Sequence, residues 1–145
     1  MSSCKRITQL NNEELQPLLK ESKEDGFRFL QRLWDDYEQG VNCFHEQGEV
    51  LMGVYNEEGR LLAIGGINRT DQQSVGRLRR FYVARSQRRK GMGGELLEAL
   101  IAHATTSYTQ LVLFTDTQIG DEFYRSKGFV KTSVASHVTH VLELK

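Results

Sequence analysis

Arg88-Arg89-Lys90-Gly91-Met92-Gly93-Gly94 sets three cations directly before three glycines. Residues of these types, in this order, can hold an anion. The first amides of a helix lack intrahelical partners and carry partial positive charge. Glycine lets an anion approach the backbone closely, and the cationic side chains add attraction. The flanks supply the frame. Leu78–Val83, with Phe81, Tyr82 and Val83, has the aromatic and β-branched character of a strand. Leu96, Leu97, Leu100, Ile101 and Ala104 recur at helical spacing over Glu95–Ala104. A strand therefore feeds a basic glycine turn that opens a helix, a site for a phosphate or pyrophosphate.

Two familiar phosphate loops do not fit. The dinucleotide fingerprint G-x-G-x-x-G needs glycine where this chain has Leu96. The triphosphate loop needs Lys-Ser or Lys-Thr after its glycines, whereas Lys90 precedes them.

The stretch resembles the R/Q-x-x-G-x-G/A signature of the GNAT superfamily of N-acetyltransferases, read as Arg88-x-x-Gly91-x-Gly93. A second segment, Phe123-Tyr124-Arg125-Ser126-Lys127-Gly128-Phe129, resembles the F-Y-x-x-x-G-F element of that family. The resemblance implies that Arg88, Arg89, Lys90, Gly91, Met92, Gly93 and Gly94 hold the pyrophosphate of acetyl-CoA. It implies that Phe81, Tyr82 and Val83 lie on a bulged strand whose backbone pairs with the pantetheine arm, the Val83 N–H facing the oxyanion. It also implies that Tyr124 protonates the departing thiolate. A phenol near pH 10 and a thiol of pKa about 8.5 are close enough for that transfer. The chain departs from the family pattern at Thr117 and Gly120, where Asn and Ala are common. Thr117 still offers a hydroxyl to pantetheine, and Gly120 predicts a loose start to the following helix.

At 145 residues, with 39% hydrophobic and 26% charged residues, the composition is that of one globular domain, 1–145. The 19 basic and 19 acidic residues cancel. This disfavours a general affinity for nucleic acid or an anionic membrane, and the cations at Arg85–Lys90 suit one compact polyanion. Cys4 and Cys43 make no disulfide framework. No signal-peptide core opens the sequence and no apolar run has the length of a membrane span. A cytoplasmic protein is expected.

Periodicity predicts strands at Lys5–Leu10, Glu49–Tyr55, Arg60–Asn68, Leu78–Val83, Gln110–Phe114, Gly128–Val134 and Val138–Leu144. It predicts helices from Asn11 to about Lys23, Phe27–Gln39, Glu95–Ala104 and Asp121–Lys127. Asn56–Gly59 reads as a hairpin turn and Thr70–Gly76 as a second turn. Strands on either side of the central helix make a βαβ unit and so a parallel pair. The fold class is α/β of the α+β type, and the element order is that of the GNAT fold. That fold implies a mixed, mostly antiparallel sheet of about six to seven strands with one parallel pair, flanked by about four helices.

In this family the acceptor pocket is built by the first helices, the loop after them and the central strand. Phe29, Trp34, Tyr37, Asn42, Phe44, Asn68 and Arg80 are the candidates here. For Trp34 and Tyr37, core packing of an amphipathic helix is the expected role ahead of substrate contact. Arg79 and Arg80 should point to opposite sides of the sheet unless a bulge intervenes, and one could bind a carboxylate. The central strand carries no carboxylate to deprotonate an amine, leaving His45, Asp71 and Asp116 as bases through water. His45, His103, His137 and His140 are scattered and suggest no metal. The expected activity is transfer of acetyl from acetyl-CoA to a small-molecule or peptide amine by direct attack. The alternative is a non-catalytic acyl-CoA-binding module. A homodimer stays open.

Overall fold

The computed structural model describes residues 2–144; Met1 and Lys145, the outer bounds expected for the domain, lie outside the described residues. Among the described residues the strands are β1 (Ser3–Arg6), β2 (Val50–Tyr55), β3 (Leu61–Arg69), β4 (Val75–Val83), β5 (Gln110–Leu113), β6 (Val130–Ala135) and β7 (Val138–Glu143). The helices are α1 (Asn12–Glu24), α2 (Phe29–Glu38), α3 (Met92–Ala104) and α4 (Gln118–Ser126), with a short 3₁₀ turn at Arg85–Gln87. The strands form one sheet in the order β1-β2-β3-β4-β5-β7-β6. Every neighbouring pair is antiparallel except β4 and β5, which α3 connects in parallel. Element order and sheet type agree with the expectation from sequence.

Alternation along the inner strands divides the core in two. Val50, Val54, Ala63, Ile67 and Leu78 pack under Leu96, Leu97 and Leu100 of α3. Leu51, Leu61, Ile64 and Tyr82 face the other way, against Leu15, Leu18 and Leu19 of α1 and Leu30 and Leu33 of α2. At about 1.5–3 kcal/mol for each fully buried Leu or Ile, these stripes hold the helices to the sheet.

Several boundaries move. The first strand ends at Arg6 rather than Leu10, because its partner β2 begins at Val50 and the last bond of the edge runs from Ile7 N–H to Leu51 O at 2.7 Å. Leu10 instead turns into the α1–α2 core and donates its N–H to the Tyr37 hydroxyl. α1 starts where Asn11 caps it, accepting from Glu13 and Glu14 N–H. β4 begins at Val75, inside the stretch read as a turn. α3 begins at Met92 rather than Glu95, and α4 at Gln118 rather than Asp121. Both extensions bring low-propensity glycines into a first turn, where tertiary contacts outweigh propensity.

Candidate active site

The parallel pairing of β4 and β5 covers Val75, Gly76 and Arg77 against Gln110, Leu111 and Val112, and then stops. Beyond it β4 continues to Val83 without β5, so a gap opens in the middle of the sheet. On its other side β4 stays paired with β3, but Ile64 faces Tyr82 while Gly66 faces Arg79, so Arg80 and Phe81 stand against Gly65 alone. That is a β-bulge, and Arg80 takes it up with φ 59°. Ala84 N–H bonds to Leu62 O on the β3 side. The alternation of strand amides therefore turns the N–H and C=O of Val83 toward the gap. Val83 O accepts there from Arg88 Nε at 3.1 Å.

The glycine loop closes one end of this gap. Gly91 caps α3 in the left-handed region, φ 86°, and no side chain caps the helix. Glu95 N–H returns to Gly91 O, so the amides of Met92, Gly93 and Gly94 remain without intrahelical partners. Arg88 is not free. Its guanidinium bonds to Asp25 at the end of α1 at 3.0 Å and lies over the Tyr82 ring. Arg85 and Tyr82 converge on the same Asp25. Burial pushes the Asp25 carboxyl up, but the bonds from Tyr82, Arg88 and Arg85 hold it below its usual range. Arg89 and Lys90 are exposed and form no ion pair among the described residues. A third cation joins them, one the spacing gave no reason to single out. Lys127 Nζ lies 3.0 Å from where a Cβ on Gly94 would be, above the first turn of α3.

α4 supplies the other wall. Phe123 and Val83 both reach Gly93, and Tyr124 lies edge-on to Phe81, Phe123 and Phe129, at ring separations of 6.0, 5.1 and 5.6 Å. Burial pushes the Tyr124 phenol above its ordinary value, and its hydroxyl has no hydrogen-bond partner among the described residues. The start of α4 is built firmly. Thr117 caps it by accepting Gly120 N–H at 3.0 Å, and Thr115 Oγ1 lies 3.3 Å from Thr117 Oγ1. A Cβ at Gly120 would meet those two oxygens at 2.4 and 2.8 Å. The departures from the family pattern at Thr117 and Gly120 are thus one feature, a threonine pair that needs glycine opposite. Behind Tyr124 the fully buried His140 bonds Asp121 at 2.7 Å, and Asp121, held also by Arg125, is lowered to about 2.

The sequence of residues 18–143 matches the family model described as "Acetyltransferase (GNAT) domain". The chain belongs to the GNAT acetyltransferase family. Among solved structures, an inferred acetyltransferase from Exiguobacterium sp. 255-15 is 29% identical, with a TM-score of 0.89 over 99% of this chain and 93% of the other. A GNAT acetyltransferase from Staphylococcus aureus Mu50 is 19% identical, with a TM-score of 0.77 over 99% and 100%. The N-acetylglutamate synthase of Neisseria gonorrhoeae, complexed with coenzyme A and N-acetyl-glutamate, is 15% identical, with a TM-score of 0.75 over 100% of this chain and 35% of that one. Among curated proteins none matches the chain.

This GNAT chain carries a cavity of about 490 Å³ on the α2 face of β4, bounded in part by Asp36, Asn42, Glu49, Asn68 and Arg79. Asn42 and Asn68 exchange amide hydrogen bonds at 2.9 Å. Both oxygens of Glu49 are taken, by Asn68 Nδ2, Arg69 N–H and Glu46 N–H. His45 opens onto this cavity, whereas Asp71 and Asp116 are exposed in loops elsewhere. Phe29 and Trp34 belong to the α1–α2 core, Phe29 beside Tyr82 and Trp34 stacked on Tyr37. Phe44 is buried under the sheet at Gly66. The bulge sends Arg79 and Arg80 to one face: Arg79 reaches Asn68 and Arg80 reaches Asp36. Among the described residues no group of three His, Cys, Asp or Glu is placed to hold a metal, and no helix is long and apolar enough to cross a membrane.

Proposed function

We propose that this chain is an acetyl-CoA-dependent N-acetyltransferase acting on the amine of a small molecule or peptide. The observation that carries the reading is the uncapped first turn of α3, its open amides flanked by Arg89, Lys90 and Lys127, at the end of a gap that Tyr124 also borders. These groups fit a pyrophosphate, and the inward backbone of Val83 fits an extended amide-bearing arm. Acetyl-CoA, when bound, supplies the activated thioester. The residues do the rest. The Val83 N–H offers a fixed donor where carbonyl oxygen gains charge. Tyr124 holds a proton for the sulfur. Burial raises its pKa, which keeps it protonated at any physiological pH, and a thiolate forming in the same dry surroundings is made more basic as well, so the transfer stays balanced. Only about one in a thousand alkyl amines is neutral at pH 7; in this reading His45, through water, takes the proton.

The test is an acceptor screen with acetyl-CoA, read as free-thiol release beside calorimetric binding of CoA. Thiol release with an amine, and the acetylated amine by mass, is the expected result. CoA binding with no acceptor in a broad screen would favour the acyl-CoA-binding module instead.

The division among the loop cations gives a second expectation. Arg89→Ala and Lys90→Ala should each weaken CoA binding about two- to fivefold and flatten its salt dependence, the scale of exposed charges. Arg88→Ala should also lower the unfolding temperature, because it removes one of the three side-chain bonds to Asp25 and the bond to Val83 O. Equal melting of all three variants would show that Arg88 does not tie α1 to the loop.

A further inference from the structure

The bulge in β4 leaves two adjacent arginines on the α2 face that share few partners. Arg80 has a side chain only 8% exposed, yet among the described residues its one ion pair, to Asp36, is long at 3.4 Å and its Nε is buried without a partner. Arg79, half-buried, makes no ion pair among the described residues; its sole side-chain bond is to Asn68 Oδ1 at 3.5 Å. The charges that bear on Arg80 are Arg79, Arg32 and Arg77 against Asp36 alone. Glu49, which also faces Arg79, has both oxygens committed to Asn68, Arg69 and Glu46. Burying a guanidinium without an anion is costly, and a buried unpaired N–H calls for a partner. The cavity of about 490 Å³ is lined by Arg79 and by Asp36, the ion-pair partner of Arg80, and has room for an anion against Arg79.

We propose that this cavity binds the acceptor by a carboxylate, with Arg79 as the contacting fork and Arg80 behind it, so that the acceptor is an amino acid or related amino-carboxylate. The inference rests on the acetyl-transfer reading of the same site. The carboxylate anchors on the α2 face, and the amine extends past the bulge toward the gap. Guanidinium and carboxylate match as a bidentate pair, which a neutral amide cannot replace.

The experiment compares the common amino acids with their primary amides and their decarboxylated amines, using acetyl-CoA and thiol release. In parallel, calorimetry measures binding of N-acetyl amino acids to the CoA-saturated protein. The expected result is a preference for the acid over its amide of about 10- to 100-fold, carried by KM, the scale of a charge-assisted bond. Arg79→Gln should remove most of that preference and Arg79→Lys should restore part of it. Amides or plain amines used as well as the acids would overturn the proposal, as would a preference unchanged in Arg79→Gln. The wild-type ratio decides even if a variant does not fold. If nothing turns over but N-acetyl amino acids bind and Arg79→Gln weakens them, the carboxylate site stands and the transfer reading falls. If neither turnover nor binding is seen, the carboxylate site falls.

Discussion

Tyr124→Phe should lower turnover by about 10²–10⁴ while CoA binding survives, the scale of losing a positioned acid. The substitution is clean for a structural reason. The ring is held by Phe81, Phe123 and Phe129, which Phe would touch equally. The hydroxyl bonds no described residue, so its removal orphans no partner. Stability should therefore change by less than about 1 kcal/mol. Calorimetry with CoA and single-turnover kinetics with an accepted amine separate the two effects. A variant that turns over at the wild-type rate when chemistry is limiting would leave Tyr124 a packing residue. Loss of binding and turnover together would give the hydroxyl a positioning role instead.

The second large effect is expected at Gly91. A Cβ there would meet no protein atom within 4 Å, but the residue sits at φ 86°. A β-branched side chain does not hold that conformation. Gly91→Val should therefore swing the loop away and disorient the open amides of Met92, Gly93 and Gly94 together, weakening CoA by about 100-fold or more, roughly 2.7 kcal/mol. Asn tolerates the left-handed region, so Gly91→Asn should keep most of the affinity. If Asn binds as poorly as Val, close approach of the ligand rather than φ is what glycine provides. Unchanged affinity in folded Gly91→Val would remove the loop from the binding site.

Much of this was legible because it is local. Periodicity over Leu96–Ala104 and the glycines after Lys90 need no distant partner to be read, and neither does the strand–loop–helix order. What was not legible depends on long-range placement. Arg88 looks like a ligand cation until Asp25, 63 residues away, is found against it. Lys127 reads as an unremarkable member of a helix end until α4 lays it over Gly94. Which way Arg79 points was left undecided by parity. Strand alternation sends it away from Arg80, and only the one-residue bulge brings the two together. The helix starts at Met92 and Gln118 were hidden by glycine's poor propensity, which a threonine pair and a left-handed cap override.

The early end of the β4–β5 pairing has a further consequence. Sheet edges are where foreign strands add and where aggregation begins, and proteins ordinarily place them at the rim. Here β4, fourth in a row of seven, has an edge of its own in the interior. β1 and β6 form the outer rims, whereas this inner one is walled by the first turn of α3 and by Phe123 and Tyr124 of α4. The fold thus keeps part of a strand edge in its centre, bordered by helices rather than lying at a rim, and part of that edge is already covered, since Val83 O accepts from Arg88.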